Sequence, residues 1–159
     1  MFARYNCWAN ERVYEAAAAL SEAQYRADRG AFFKSVRGTL NHLLAADMVW
    51  MRRFTGTGEA PGALDTILYD TLADLRVARA AQDARIIAHV DGLSEADLHG
   101  LIRYRRVTSP EDVEQPRGEA LAHFFNHQTH HRGQVHALLT GLAGTAPELD
   151  LLYFQRTNG

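Results

Sequence analysis

The stretch His123-Phe124-Phe125-Asn126-His127-Gln128-Thr129-His130-His131-Arg132-Gly133-Gln134-Val135-His136 contains five of the chain's eight histidines. His127 and His131 are four residues apart, and residues at that spacing lie on the same face of a helix. Two imidazoles placed in this way can bind one divalent metal ion. A third ligand from another helix would then leave a coordination position open for chemistry. The stretch therefore predicts a long helix that carries part of a metal site.

A helical wheel separates these five histidines. At about 100° per residue, His127 and His131 fall within one apolar stripe. His123 and His130 lie on the flank of that stripe, and His136 faces away from it. A buried pair of neutral imidazoles needs polar partners, and a metal ion satisfies both rings at once. We interpret the other three histidines as local enrichment and not as ligands.

The third ligand is expected from a facing helix, and the candidates are His42, His89, His99 and carboxylates such as Asp47. His42 lies in the middle of a predicted helix among small residues, with bulky side chains on the opposite face. Such a face would leave room for a metal and a ligand pocket. It would equally permit close packing of two helices, so the wheel alone does not choose the third ligand.

The composition limits the classes of protein that fit this chain. Hydrophobic residues make up 47% of its 159 residues, which suits one folded domain over residues 1–159 and excludes a disordered chain. Seventeen basic and nineteen acidic residues give a formal net charge of −2, which argues against a broad nucleic-acid interface. No apolar run reaches the length of a membrane-spanning helix. Neither nucleic acid nor a membrane is therefore an expected partner.

Cys7 is the chain's one cysteine, so no disulfide can form within the chain. This usage is typical of a reducing compartment, and we expect a cytoplasmic protein. No base lies near Cys7 in sequence, so we interpret it as a small apolar group and not as a nucleophile.

Apolar periodicity and helix breakers predict an all-α fold, a four-helix bundle. The long helices are expected at about residues 5–20, 33–54, 65 or 71 to 90, and 116 to 141 or 144, with a short terminal helix near 149–155. Ser94 and Asp97 have the spacing of a helix cap. Leu101–Thr108 alternates β-branched and aromatic residues with arginine, which predicts a short strand or hairpin arm before Pro110.

Four segments of the sequence resemble motifs of the DinB family, bacterial four-helix-bundle metalloproteins that include the YfiT-like proteins. Tyr5–Asn10 resembles the opening helix motif, and Thr39–Asp47 the second-helix motif in which the histidine is the first ligand. His127–Gln134 is similar to the H-x-x-x-H-R-G-Q signature that supplies the other two ligands. Leu149–Tyr153 fits the C-terminal segment. The resemblance covers nearly the whole chain.

The resemblance implies a divalent metal ion bound by His42, His127 and His131. Zinc, nickel, iron or manganese would suit such a site, because imidazole ligands alone do not choose among them. The family also implies a homodimer, for which Trp8, Tyr14, Trp50 and Tyr153-Phe154 are the expected apolar surface.

Relatives in the family include S-transferases that use a low-molecular-weight thiol. We therefore expect a metal-dependent transferase that joins such a thiol to a small-molecule substrate. A metal-dependent hydrolase and a non-enzymatic metal-binding stress-response protein are alternatives, as is a helical interaction module that has lost its metal. No catalytic residue beyond the ligands is identified.

Several polar residues are candidates for roles around the site. Gln134, Asn126 and Asn41 could orient the ligand rings, although packing or capping is the simpler interpretation of the two asparagines. For Arg132 we favour a contact with a structural carboxylate over one with substrate. Arg103, Arg105 and Arg106 could line a pocket for an anionic thiol, but such a run more often marks a solvated edge strand.

Overall fold

The structure is a computed structural model that describes residues 1–107, 109 and 111–158, with Asn158 described by its backbone alone. Four long helices dominate it: α1 (Phe2–Ala18), α3 (Val36–Thr55), α4 (Leu72–Asp91) and α6 (Arg117–Ala143). The shorter elements of the described ranges are α2 (Glu22–Arg26), α5 (Glu95–His99), β1 (Leu101–Arg105), β2 (Asp112–Pro116) and α7 (Leu151–Asn158).

The four long helices pack as a closed ring. Helix α1 packs against α4 and α6, and α3 packs against the same two helices from the other side. The predicted all-α four-helix bundle is therefore confirmed. Helix α3 buries the face that carries His42. Its bulky residues Leu40, Leu44, Met51 and Phe54 are buried as well, because α3 is covered by two neighbouring helices.

Local capping places the helix ends a few residues from where periodicity predicts them. Helix α3 begins at Val36 and not at Phe33, because the Ser35 hydroxyl accepts a hydrogen bond of 3.0 Å from the Gly38 backbone N–H. Phe33 consequently lies in a loop. Thr71 caps α4 in the same manner, which decides between the two expected starts of that helix.

The strand segment is the first arm of an antiparallel hairpin. Strand β1 pairs with β2, and Tyr104 lies opposite Val113. The strand ends at Arg105, earlier than expected, and Thr108 and Pro110 lie outside the described residues. The hairpin packs against α3 and α6 at one end of the bundle. On α3 the contact lies at Trp50, whose ring meets the Tyr104 ring edge-on, eight residues after His42.

Helix α6 is the longest helix described, with 27 residues. Its length alone would suffice to cross a bilayer, but its surface carries exposed polar side chains such as His130 and Thr140. Within the described ranges, no helix combines the length and the hydropathy that a membrane crossing requires.

Candidate metal centre

Three histidines from two helices converge inside the bundle. His42 comes from α3, and His127 and His131 come from consecutive turns of α6. One ring nitrogen from each lies within 4.8 Å of the other two. The Nε2 atoms of His42 and His127 are 3.4 Å apart. A tetrahedral ion with bonds of about 2.0–2.1 Å holds its nitrogens about 3.3 Å apart, so the spacing fits a metal ion.

Hydrogen bonds orient two of these rings so that the lone pair of each Nε2 atom faces the centre of the cluster. His42 Nδ1 lies 2.9 Å from the Leu64 carbonyl oxygen, and His131 Nδ1 lies 2.9 Å from Gln134 Oε1. Both oxygens accept, so each Nδ1 carries the proton and each Nε2 presents a lone pair. This is the tautomer that a metal requires. The role expected for Gln134 agrees with this contact, whereas Leu64 was not foreseen.

The three rings are held in their neutral form. Burial lowers the pKa of His42 to about 4 and that of His127 to about 3, and the neighbouring histidines add to both shifts. Burial also lowers the pKa of His131. Near pH 7 all three rings are therefore unprotonated, which is the state that can bind a metal ion.

Phe33 covers one side of the histidine cluster. Its ring stacks on that of His42, with centroids 3.7 Å apart and planes 16° apart, and meets His131 edge-on. The loop reaches this position because residue 38 is glycine: a Cβ at Gly38 would overlap the Phe33 carbonyl oxygen. The close approach of the loop to α3 thus shields the cluster from water on that side.

A cavity of about 430 Å³ adjoins the cluster on its other side. Its walls come from α3, α6, the hairpin and the loop before α4. The side chains that shape it include Val49, Trp50, Leu64, Tyr104, His123 and His127. His127 thus belongs both to the cluster and to the cavity wall. A small molecule in the cavity would contact the edge of the candidate metal centre.

The other candidates for the third ligand lie elsewhere in the fold. Asp47 forms an ion pair of 2.7 Å with Arg79 inside the bundle. His89 stacks on Phe54, and His99 is exposed at the end of α5. The geometry therefore brings His42, and none of these three side chains, to the pair on α6.

A buried polar network that the sequence did not predict crosses the centre of the bundle. Arg79 pairs with Asp47 and with Asp83, and all three side chains are almost completely buried. Asp83 accepts hydrogen bonds from the Asn10 amide, and Asp47 accepts one from Gln128. The network connects α1, α3, α4 and α6. Two features of the sequence are early signs of it: the position of Asp47 beside apolar residues on a buried helix, and the i,i+4 spacing of Arg79 and Asp83.

The two asparagines proposed to orient the ligand rings do not contact them. Asn41 holds the backbone of Tyr69 through both its amide oxygen and its amide nitrogen, which fixes the loop before α4. Asn126 is exposed and lines a separate apolar groove. For Asn41 these contacts support the simpler interpretation, a packing or capping role.

Arg132 has a structural position, but its partners differ from those expected. It donates to the amide oxygens of Asn6 and Asn10 and lies over the ring of Tyr5. It is buried at the junction of α1 and α6. The expected direct partner was a carboxylate, and the structure provides amide oxygens instead.

The arginine strip of the hairpin divides into two groups. Arg103 pairs with Glu114 across the strands, and Arg105 is exposed. Arg106 pairs with Glu111 at 3.0 Å and also lines the cavity. The other cavity arginine, Arg53 on α3, was missed because a sequence pattern does not show which helical arginine faces a distant hairpin.

Most of the aromatic residues expected to form a dimer surface are buried or pack against other residues of the same chain. Tyr14 and Trp50 are buried. Trp8 packs against Tyr153 and Phe154 of the terminal helix. Of this set, Tyr153 keeps substantial exposure.

Cys7 is predicted to react slowly with thiol reagents. Burial, followed by the charges of Asp83 and Glu11, raises its pKa from 9.0 to about 11. The thiolate fraction at pH 8 therefore falls about a hundredfold, and the greater nucleophilicity of a more basic thiolate restores only about sixfold. We expect iodoacetamide to alkylate Cys7 at least about tenfold more slowly than free cysteine, as followed by intact mass. The rate should rise with pH up to about 11, and a rate equal to that of free cysteine at pH 8 would contradict the assignment.

The fold and the cluster together define a helical-bundle protein with three converging histidines, an arrangement that fits a metal-binding protein. The chain belongs to the DinB family, whose sequence profile matches residues 1–158. It is 26% identical over 164 residues to Protein DinB of Bacillus subtilis (strain 168), and the match covers 94% of this chain and 90% of that protein. The family resemblance found in the sequence motifs is thereby confirmed.

Proposed function

We propose that this protein is a divalent-metal-dependent transferase that uses a low-molecular-weight thiol. In this proposal His42, His127 and His131 are the metal ligands, and zinc, nickel, iron or manganese is the ion. One observation carries it: the three neutral imidazoles converge beside a cavity of about 430 Å³ that reaches His127. A site that only stores or senses a metal needs no such cavity.

The surrounding residues prepare the site for this chemistry. Leu64 and Gln134 fix two imidazole rings, and Phe33 excludes water from one side. Trp50 and Tyr104 give the cavity an aromatic lining for an organic substrate. A bound divalent ion would act as a Lewis acid and lower the pKa of a thiol, which favours the nucleophilic thiolate near neutral pH. A homodimer and a cytoplasmic location are part of the same proposal. The homodimer rests on the family resemblance, and the location rests on the single cysteine.

Turnover with a panel of thiols and electrophiles tests the proposal. The untagged protein would be loaded with each of the four metals and mixed with cysteine or another small thiol and with monochlorobimane or 1-chloro-2,4-dinitrobenzene. We expect metal-dependent adduct formation at least about tenfold above that of the chelator-treated protein.

Two further outcomes decide against a thiol transferase. Hydrolysis of an ester substrate without any thiol would identify a hydrolase instead. Full metal loading without turnover of any pair would favour the non-enzymatic alternative. His136→Gln serves as the matched active control, because His136 belongs to the same helix but not to the cluster.

A further inference from the structure

The cavity beside the histidine cluster has a strongly one-sided charge. Two arginines, Arg53 from α3 and Arg106 from the hairpin, line it together with His123 and His127. Among the described residues, none of the side chains that line the cavity is acidic. A cavity with cationic groups and low-dielectric walls favours an anionic ligand.

Arg53 lacks the partners that a half-buried guanidinium normally has. Its Cζ lies over the ring of Trp50 at 4.5 Å and over that of Tyr104 at 4.1 Å. In the described part of the chain, no carboxylate is within ion-pair distance of Arg53, and its N–H groups have no hydrogen-bond acceptor. By contrast, the neighbouring Arg106 has Glu111. Arg53 is therefore the cation in this wall whose charge remains to be neutralised.

The stacking on two rings determines which ligand suits Arg53. Aromatic rings against the face of a guanidinium leave the N–H groups along its edge as the free donors. Two adjacent N–H groups match the two oxygens of a carboxylate. Burial and the charge of Arg106 lower the pKa of Arg53, so both disfavour its protonated guanidinium. A bound carboxylate would stabilise that charge.

The position of Arg53 relative to the cluster sets the arrangement of the ligand. His42 and Arg53 are eleven residues apart on one helix, a rise of about 16 Å. Val49, Trp50 and Arg53 of α3 line the cavity, and its wall on α6 includes His127. A molecule anchored at Arg53 would extend along this apolar wall toward His127.

We propose that the cavity binds a small organic carboxylate, with the carboxylate group held by Arg53 and the apolar part lying against Trp50 and Tyr104. The inference rests on the proposed function only in taking the bound molecule to be a substrate. Binding itself requires no metal, because Arg53 is not one of the three clustered histidines. The carboxylate could belong to the thiol or to the electrophile, since both would bind beside the cluster.

Calorimetry with two matched pairs of probes tests the inference. The first pair is 3-phenylpropionate and 3-phenylpropan-1-ol; the second is 3-mercaptopropionate and 3-mercaptopropan-1-ol. We expect the protein to bind at least one carboxylate about tenfold or more tightly than its alcohol. If only the thiol pair shows the preference, the thiol substrate is the one that carries the carboxylate group. If the phenyl pair shows it, the electrophile carries that group. Absence of a preference in both pairs would overturn the inference.

Substitutions at two adjacent arginines assign the preference to one side chain. Arg53→Gln should reduce it to within about twofold, and Arg53→Lys should restore part of it, because lysine keeps the charge but loses the paired donors. Arg52→Gln is the matched control, since Arg52 is exposed and absent from the cavity wall. A full preference in a folded, metal-loaded Arg53→Gln protein would refute the role of Arg53.

The same titrations separate this inference from the proposed function. The phenyl pair would be measured with and without a chelator, and we expect its preference to persist without metal. If the protein prefers the carboxylate but turns over no thiol, the carboxylate site is supported and the proposed transferase function is refuted. If the protein turns over thiols but shows no preference for the carboxylate, the transferase function is supported and the carboxylate site is refuted.

Discussion

Replacing His127 with glutamine is expected to reduce the metal content of the untagged protein from about one ion per chain to almost none. His127 Nε2 lies 3.4 Å from His42 Nε2, and the amide of glutamine is a much weaker ligand for a divalent transition metal. We expect the affinity to fall more than about 100-fold, beyond the loss caused by removing an outer partner of a ligand. Elemental analysis and competition with a chelator would measure both quantities.

The same substitution at His42 and at His131 should give the same result, because the proposal assigns each ring one bond to the metal. His136→Gln is the control on α6: its side chain is outside the cluster, and its metal content should stay at the wild-type level. Circular dichroism would confirm that each variant remains helical. Full metal stoichiometry in any one of the three ligand variants would remove that histidine from the proposed set.

Replacing Arg79 with methionine is expected to lower the free energy of unfolding by about 3–5 kcal/mol. Arg79 contacts Asp47 at 2.7 Å and Asp83 at 3.0 Å, and methionine would leave both carboxylates buried without their cation. Urea unfolding of the chelator-treated proteins measures the loss. Arg4→Met is the control, because the Arg4–Asp91 ion pair is exposed and should contribute far less.

The loss in Arg79→Met should depend on pH in a defined direction. Burial already raises the pKa of Asp47 above its usual range, while the Arg79 guanidinium opposes this shift. Without Arg79 the pKa rises further, and a carboxyl whose folded pKa is raised destabilises the fold when it has to ionise. The destabilisation should thus be largest near pH 8 and shrink toward pH 5.5. An equal loss at both pH values would show that ionisation of the buried carboxyls is not its cause.

The sequence was most informative where the relevant residues share one helix. His127 and His131 are one turn apart, so the wheel alone could place them together. His42 required the family motif, because a contact between α3 and α6 joins residues 85 positions apart. Helix ends were placed within a few residues, and Phe33 was assigned to a helix because the cap at Ser35 is a local hydrogen bond that periodicity does not show.

The remaining parts of the site depend on contacts between distant segments. Leu64 contributes a backbone carbonyl, which any residue could supply, so no side-chain pattern marks it. Arg53 faces the cavity only because Tyr104 of the hairpin packs over it. Arg79 is buried because the carboxylates of two helices enclose it. The Arg79–Asp83 pair has the i,i+4 spacing that one segment of the sequence can show. The contacts of Leu64, of Arg53 with Tyr104 and of Arg79 with Asp47 join distant segments, and no single segment signals them.

The hairpin has a consequence for how this molecule could be altered. Its two ends meet where the Arg117 backbone N–H donates to the Gly100 carbonyl oxygen at 2.8 Å. A segment whose ends lie side by side can be lengthened or exchanged without separating the helices that flank it. The segment supplies Tyr104 and Arg106 to the cavity but none of the three histidines. Exchange of residues 101–116 is therefore a route to a different bound molecule while the three clustered histidines and their helices stay unchanged.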